Sequence, residues 1–150
     1  MNNMEKPGQK LVEEFPSTIN FLLLEDMVNI RKQLLNDLRM LGVSGKVYEA
    51  GTVSEAEKLA SSEPIGFFIC DWNLPDGVGI DFLRKMRNTL KYKTTPIIMC
   101  TTMSEVTNFL DAAASGANDY IVKPWQIIEL QKKIQLTWTN YINKQKKLIK

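Results

Sequence analysis

The chain has 150 residues, 44% hydrophobic and 24% charged, a size and balance that fit one globular domain and leave too little for a second. It has no histidine, which excludes a Ser-His-Asp or Cys-His nucleophilic site, a His metal ligand and a phosphohistidine on this chain; its two cysteines cannot build a zinc cluster or a disulfide framework. The net charge of +2 comes from lysines near the ends, at Lys6, Lys10, Lys144, Lys146, Lys147 and Lys150, while residues 19–142 carry one more acid than base, so no nucleic-acid-binding face is expected.

Residues 1–18, with two prolines, a glycine and scattered charge, read as a leader, residues 19–143 as the folded domain and residues 144–150 as a basic tail. A secretory signal and a stretch long enough for a membrane span are both missing from the pattern, so a cytoplasmic protein without membrane insertion is expected. From residue 19 onward, short apolar runs alternate with amphipathic segments. A strand over 19–24 leads to a helix with Ile30, Leu34, Leu38 and Leu41 on one face, ending at Gly42. A strand over 46–50 is followed by a helix whose Ser54-Glu55-Ala56-Glu57 opening reads as a capping box. Next come a strand over 66–70, a helix over 80–88 with Leu83 and Met86 inward, and a strand over 96–100. The fourth helix is expected over 105–115, with Val106, Phe109, Leu110 and Ala113 as its apolar stripe. A strand over 119–122 and a helix using Ile127, Leu130, Ile134, Trp138 and Tyr141 complete five β-α units.

Strand order follows from burial, because a strand covered on both faces reads as a continuous apolar run and an edge strand alternates. The first, third and fourth strands are continuous and so central; the second alternates and the fifth is short, which puts them at the edges. With right-handed crossovers this gives a doubly wound α/β fold of flavodoxin-like type, a five-stranded parallel sheet in the order 2-1-3-4-5 with helices on both faces. Ligands of such sheets bind beyond the strand carboxyl ends at the switch point, between the first and third strands.

At those ends stand Glu25-Asp26, Asp71, Thr101-Thr102 and Lys123-Pro124. Crowded carboxylates repel unless a cation sits among them, and a hard divalent ion with oxygen ligands, Mg²⁺ first among them, resolves the repulsion. Asp71 is then placed to attack a phosphoryl group, with the metal and Lys123 neutralising the transferring oxygens and a threonine hydroxyl donating to one of them.

These segments, in this order, resemble the response-regulator receiver domain, in particular the CheY-like chemotaxis group. Phe21-Leu22-Leu23-Leu24-Glu25-Asp26 is similar to its first strand and acidic pair, Asp71-Trp72-Asn73-Leu74-Pro75 with Gly79 to its phosphoacceptor segment, Met99-Cys100-Thr101 to its switch strand, and residues 116–125 to its fifth-strand signature. The resemblance covers roughly residues 19–140. It implies that Asp71 is the phosphoacceptor and that Mg²⁺ is held by Asp26 directly, Glu25 through water, Asp71, and the backbone carbonyl of Asn73. It further implies that Thr101 and Lys123 bind the phosphoryl group, that Tyr120 is an aromatic switch moving in behind Thr101, and that the Lys123-Pro124 peptide is cis. The implied partners are a histidine kinase or phosphotransfer protein as donor, an output protein such as a flagellar motor switch component, and a phosphatase. On this reading the chain is a switch that phosphorylates and dephosphorylates itself, not an enzyme with a separate substrate.

Two positions depart from the family pattern. Met103 stands two residues after Thr101, where several fast-cycling members have a polar or acidic residue that orients the hydrolytic water, so slow self-dephosphorylation is expected. Trp125 follows the Lys-Pro pair where a phenylalanine or smaller residue is common, and either alters a partner face or packs. A haloacid-dehalogenase-like phosphatase would place an aspartate at the position of Asn73, and a flavodoxin would need a hydroxyl-rich loop where Glu25-Asp26-Met27-Val28 stands. Cys70 and Cys100, on adjacent strands, allow a redox couple, with inert core thiols the simpler reading.

Overall fold

Alternation along buried strands sends successive side chains to opposite faces, and here both faces are covered. The computed structural model describes residues 15–149. Its main sheet comprises β1 (Phe21–Leu24), β2 (Val47–Ala50) and β3 (Phe67–Asp71). A small antiparallel hairpin of β4 (Asn73–Leu74) and β5 (Gly77–Val78) follows, and β6 (Ile97–Thr102) and β7 (Asp119–Lys123) return to the main sheet. The order is β2-β1-β3-β6-β7 and every pairing in the main sheet is parallel. Counting only its five strands, this is the expected 2-1-3-4-5. The burial that predicted it is present: β1 and β3 are buried throughout and β6 as far as Thr101, whereas β2 and β7 each bury one residue, Ala50 and Ile121.

The helices are α1 (Val28–Met40), α2 (Val53–Ser62), α3 (Gly79–Arg87), α4 (Phe109–Ala114) and α5 (Ile127–Ile149). Leu34 and Leu38 of α1 and Leu130, Ile134 and Trp138 of α5 pack with Phe21, Leu23, Phe67, Ile69 and Cys100 on one face. Ala56 and Ala60 of α2, Phe82, Leu83 and Met86 of α3 and Ala112 of α4 pack with Leu22, Leu24, Phe68, Cys70 and Met99 on the other. The two cysteines thus lie in different cores, and the register pairs Cys100 with Asp71 and Cys70 with Met99. Burial raises both thiols well above the usual range. They are inert core residues and not a couple.

Three local expectations are corrected. The cap of α2 is Thr52, whose hydroxyl accepts from the Glu55 amide at 3.1 Å, while Glu55 Oε1 accepts from the Gly51 amide at 3.1 Å; Ser54 and Glu57 form no box. The amides of Val53 and Ser54 donate instead to Asp76, in the turn of the β4-β5 hairpin, at 2.8 and 3.0 Å. The predicted fourth helix opens as a 3₁₀ turn over Met103–Asn108, and only Phe109–Ala114 is α-helical. Three residues per turn shifts the phase of a stripe written for 3.6, so Leu110 is 80% exposed and Ala112 takes the core position.

The first fourteen residues of the leader lie outside the described residues; Phe15 is buried, its ring 5.3 Å from that of Trp138 and 6.1 Å from that of Phe21. Of the tail, residues 144–149 continue α5. Trp125 packs in the core and donates its indole N–H to Asp37 at 2.8 Å.

At the amino ends of β6 and β7, the half-buried Arg87 guanidinium donates to the carbonyls of Gly116 (2.9 Å), Tyr92 (3.0 Å) and Thr95 (2.6 Å) and to Asn118 Oδ1 (2.9 Å). Gly116 is required there, with φ at 113° and a would-be Cβ 2.7 Å from the Arg87 side chain. Arg87→Met removes the Arg87 hydrogen bonds to the three carbonyls, while Asn118 Oδ1 keeps the Ile97 amide at 2.8 Å, and is expected to lower stability by about 2–4 kcal/mol. In urea unfolding the loss should be the same at low and high salt, since the acceptors are neutral.

Candidate functional site

Parallel register brings the carboxyl ends of neighbouring strands level. Leu24 pairs with Cys70, Asp71 with Cys100, and Thr102 with Lys123, so the ends of β1, β3, β6 and β7 gather at one edge of the sheet. Lys123 Nζ lies 2.6 Å from Glu25 Oε1 and 2.9 Å from Asp71 Oδ1. Glu25, Asp71 and Thr101 are 1%, 7% and 2% exposed, whereas Asp26 faces solvent. One oxygen from each of Glu25, Asp26 and Asp71 lies within 4.8 Å of the others.

The backbone holds the carboxylates in turn. The Met27 amide donates to Glu25 Oε2 at 3.0 Å and the Trp72 amide to Asp71 Oδ1 at 2.7 Å. Arg31 Nη1 donates to the Glu25 carbonyl at 2.8 Å, and its Nε pairs with Glu49 at 3.1 Å, tying α1 and β2 to the acidic end of β1. Gly79 is needed for close approach, because a Cβ there would stand 2.0 Å from the Asp71 carbonyl oxygen. Its amide donates to the Trp72 carbonyl at 2.7 Å, closing the hairpin against the end of β3.

Electrostatics express the crowding. Burial pushes the Glu25 carboxyl up and the charge on Asp71 adds to it, against the Lys123 and Met27 hydrogen bonds; the outcome is a pKa of about 7. For Lys123 burial works downward, but the hydrogen bonds to Glu25 and Asp71 outweigh it and hold the ammonium firmly protonated. Two of the three carboxylates, Glu25 and Asp71, share one ammonium. The oxygens of all three, one carboxylate open to solvent, form a hard, anionic donor set that suits Mg²⁺, which would offset the charge Lys123 leaves unbalanced.

The other candidate residues flank this group. The Thr101 hydroxyl has the Thr102 carbonyl at 3.3 Å and Glu105 Oε1 at 3.4 Å as acceptors. Asn73 stands two residues beyond Asp71 and donates its side-chain amide to Glu105 Oε2. Tyr120, half-buried on β7, has its ring 4.7 Å from that of Phe109 and 4.8 Å from the Lys133 ammonium. The Lys123-Pro124 peptide is cis. Met103 is 72% exposed.

Sequence reasoning passed over Glu105. It closes a capping box with Thr102, accepting from the Thr102 amide at 3.2 Å and hydroxyl at 2.9 Å. The signal was present, since Thr102-Met103-Ser104-Glu105 is the box pattern itself. Arg31 and Asp76 were also passed over; their partners lie on other elements and leave no spacing to read.

Comparison with known proteins agrees with this geometry. Residues 21–135 match the family model described as the response regulator receiver domain. Chemotaxis protein CheY1 of Helicobacter pylori is 31% identical over 118 residues, 79% of this chain and 95% of the relative. Chemotaxis protein CheY of Pseudomonas aeruginosa is 32% identical over 117 residues, 78% of this chain and 94% of the relative. The solved structure of chemotaxis response regulator CheY4 of Vibrio cholerae superposes with a TM-score of 0.73 at 29% identity, covering 80% of this chain and 98% of that one.

The raised Glu25 pKa has a signed consequence. Between its ordinary value of 4.5 and about 7 the folded chain keeps a proton that the unfolded chain has released, so this group lowers stability as pH rises through that window. Glu25→Gln removes that contribution. Urea midpoints measured at several pH values should show the variant gaining on the wild type from about pH 4.5 to about pH 7, whatever constant offset the lost Lys123 contact adds.

Proposed function

We propose, from the premise that this chain belongs to the response regulator receiver domain family, that it is a CheY-like phosphorylation switch with Asp71 as its phosphoacceptor. The observation that carries the proposal is the Lys123 ammonium set between Glu25 and Asp71 at the carboxyl end of the central strands. A nucleophilic carboxylate is held there beside a fixed cation, with a hydroxyl on the next strand, and that combination serves phosphoryl transfer.

In the proposed reaction an Asp71 carboxylate oxygen attacks phosphorus on a partner's phosphohistidine. The new O–P bond forms as the P–N bond breaks, and the imidazole leaves with the electron pair. Lys123 turns part of its hydrogen bonding from Glu25 to a phosphoryl oxygen, and Thr101 donates to another. Glu25, Asp26, Asp71 and the Asn73 carbonyl would hold Mg²⁺, which supplies charge neutralisation at the phosphoryl oxygens. Water attack on the same phosphorus releases inorganic phosphate and restores the Asp71 carboxylate. The protein acts on itself in both steps, so it is a switch and not an enzyme with turnover on a separate substrate.

The donor is a histidine kinase or phosphotransfer protein, and the output is a partner protein of the chemotaxis apparatus such as a flagellar motor switch component, with a phosphatase as a further client. Tyr120 is the proposed aromatic switch, poised between Phe109 and Lys133. No described helix is long and apolar enough to cross a membrane, and the proposed site of action is the cytoplasm.

Incubation with acetyl phosphate and Mg²⁺, read by intact mass, should add one phosphoryl group to the wild type. Asp71→Asn and a metal-free sample should add none. Steady release of phosphate from unrelated esters, without a modified chain, would favour a phosphatase instead.

A further inference from the structure

We propose that Glu105 is a latch on the phosphorylation site: its carboxylate holds Asn73 and Thr101 in the resting chain, and a phosphoryl group on Asp71 must expel it. The inference rests on the reading of Asp71 as phosphoacceptor and adds to it a residue outside the Asp-Thr-Lys set. Glu105 Oε2 accepts from the Asn73 side-chain amide, and Oε1 accepts from the Thr102 amide and hydroxyl, with the Thr101 hydroxyl 3.4 Å away. One carboxylate therefore ties the segment after β3 to the end of β6, the two segments that flank Asp71.

Proton count makes the two states exclusive. The Thr101 hydroxyl has one proton, and its acceptors here are Glu105 and the Thr102 carbonyl. To donate to a phosphoryl oxygen it must leave both. Charge acts in the same direction, because a phosphoryl group adds negative charge beside Glu25 and Asp71, which already share the Lys123 ammonium. A carboxylate one hydrogen bond from Thr101 and Asn73 is repelled as the group arrives.

The release has somewhere to go. The 3₁₀ turn over Met103–Asn108 contains no buried residue, and the Thr102–Glu105 box is one of the contacts that hold it. It leads directly into Phe109, the ring against Tyr120. Expelling Glu105 loosens the turn and frees the Phe109 end of α4, which links occupancy of Asp71 to the surface around α4.

Glu105→Gln, which keeps the size and loses the charge, tests this with two rates on the full chain: uptake of phosphate from acetyl phosphate with Mg²⁺, and decay of phospho-Asp71 after the donor is removed. The latch predicts uptake faster by about five- to tenfold, the difference between a charge-assisted and a neutral hydrogen bond, with decay changed less than about twofold on the same scale. A urea midpoint confirms that the variant is folded, and a loss of packing alone gives no selective gain in uptake. Unchanged uptake, or a change confined to decay, overturns the latch and leaves the phosphoacceptor reading intact. Absence of phosphate on both wild type and variant overturns both.

Discussion

One ammonium set between two buried carboxylates governs the design of this protein. Lys123 reaches Glu25 and Asp71 from the end of an edge strand, while the carboxylates come from the two central strands beside the switch point. None of the three groups could be buried alone without a large desolvation cost, and together they still leave an excess of negative charge. The cluster consequently holds the Asp71 carboxylate in place and favours a further cation, or a ligand that brings one.

The rest of the fold serves that placement. Burial on both faces keeps the central strands rigid and level at their carboxyl ends, so Asp71 sits against the end of β1 and beside Cys100 without dependence on a loop. The loops carry what must be adjustable. Asp76 fastens the hairpin after Asp71 to the start of α2, Gly79 lets that hairpin close on the Asp71 carbonyl, and Glu105 reaches back from a turn with no core residue. Buried strands place Asp71 and Thr101, and the segments around them are held mainly by polar contacts.

The sheet was legible from the sequence because two-sided burial writes a continuous apolar run, and Phe21–Leu24, Phe67–Asp71 and Ile97–Thr102 differ plainly from the half-buried edges. The acidic pair, Asp71, Thr101 and Lys123 were legible because they terminate those runs. Three things were hidden for physical reasons. The 3₁₀ turn has a different period from the helix expected over it, so Leu110 looked like core. Glu105 has a readable capping pattern, but its contact with Asn73, 32 residues away, comes from a fold-back that no local spacing shows. Arg31, Asp76 and Arg87 act across elements, on partners that no local pattern points to.

Arg87 sets the opposite pole of the molecule apart. Its partners are carbonyls and an amide oxygen, all neutral, grouped where β6 and β7 begin. The amino ends thus hold a single cation on neutral oxygens, beside the Asp119–Lys133 pair at the start of β7. One guanidinium cross-ties the segments that lead into β6 and β7, while their carboxyl ends meet in a cluster of charged groups.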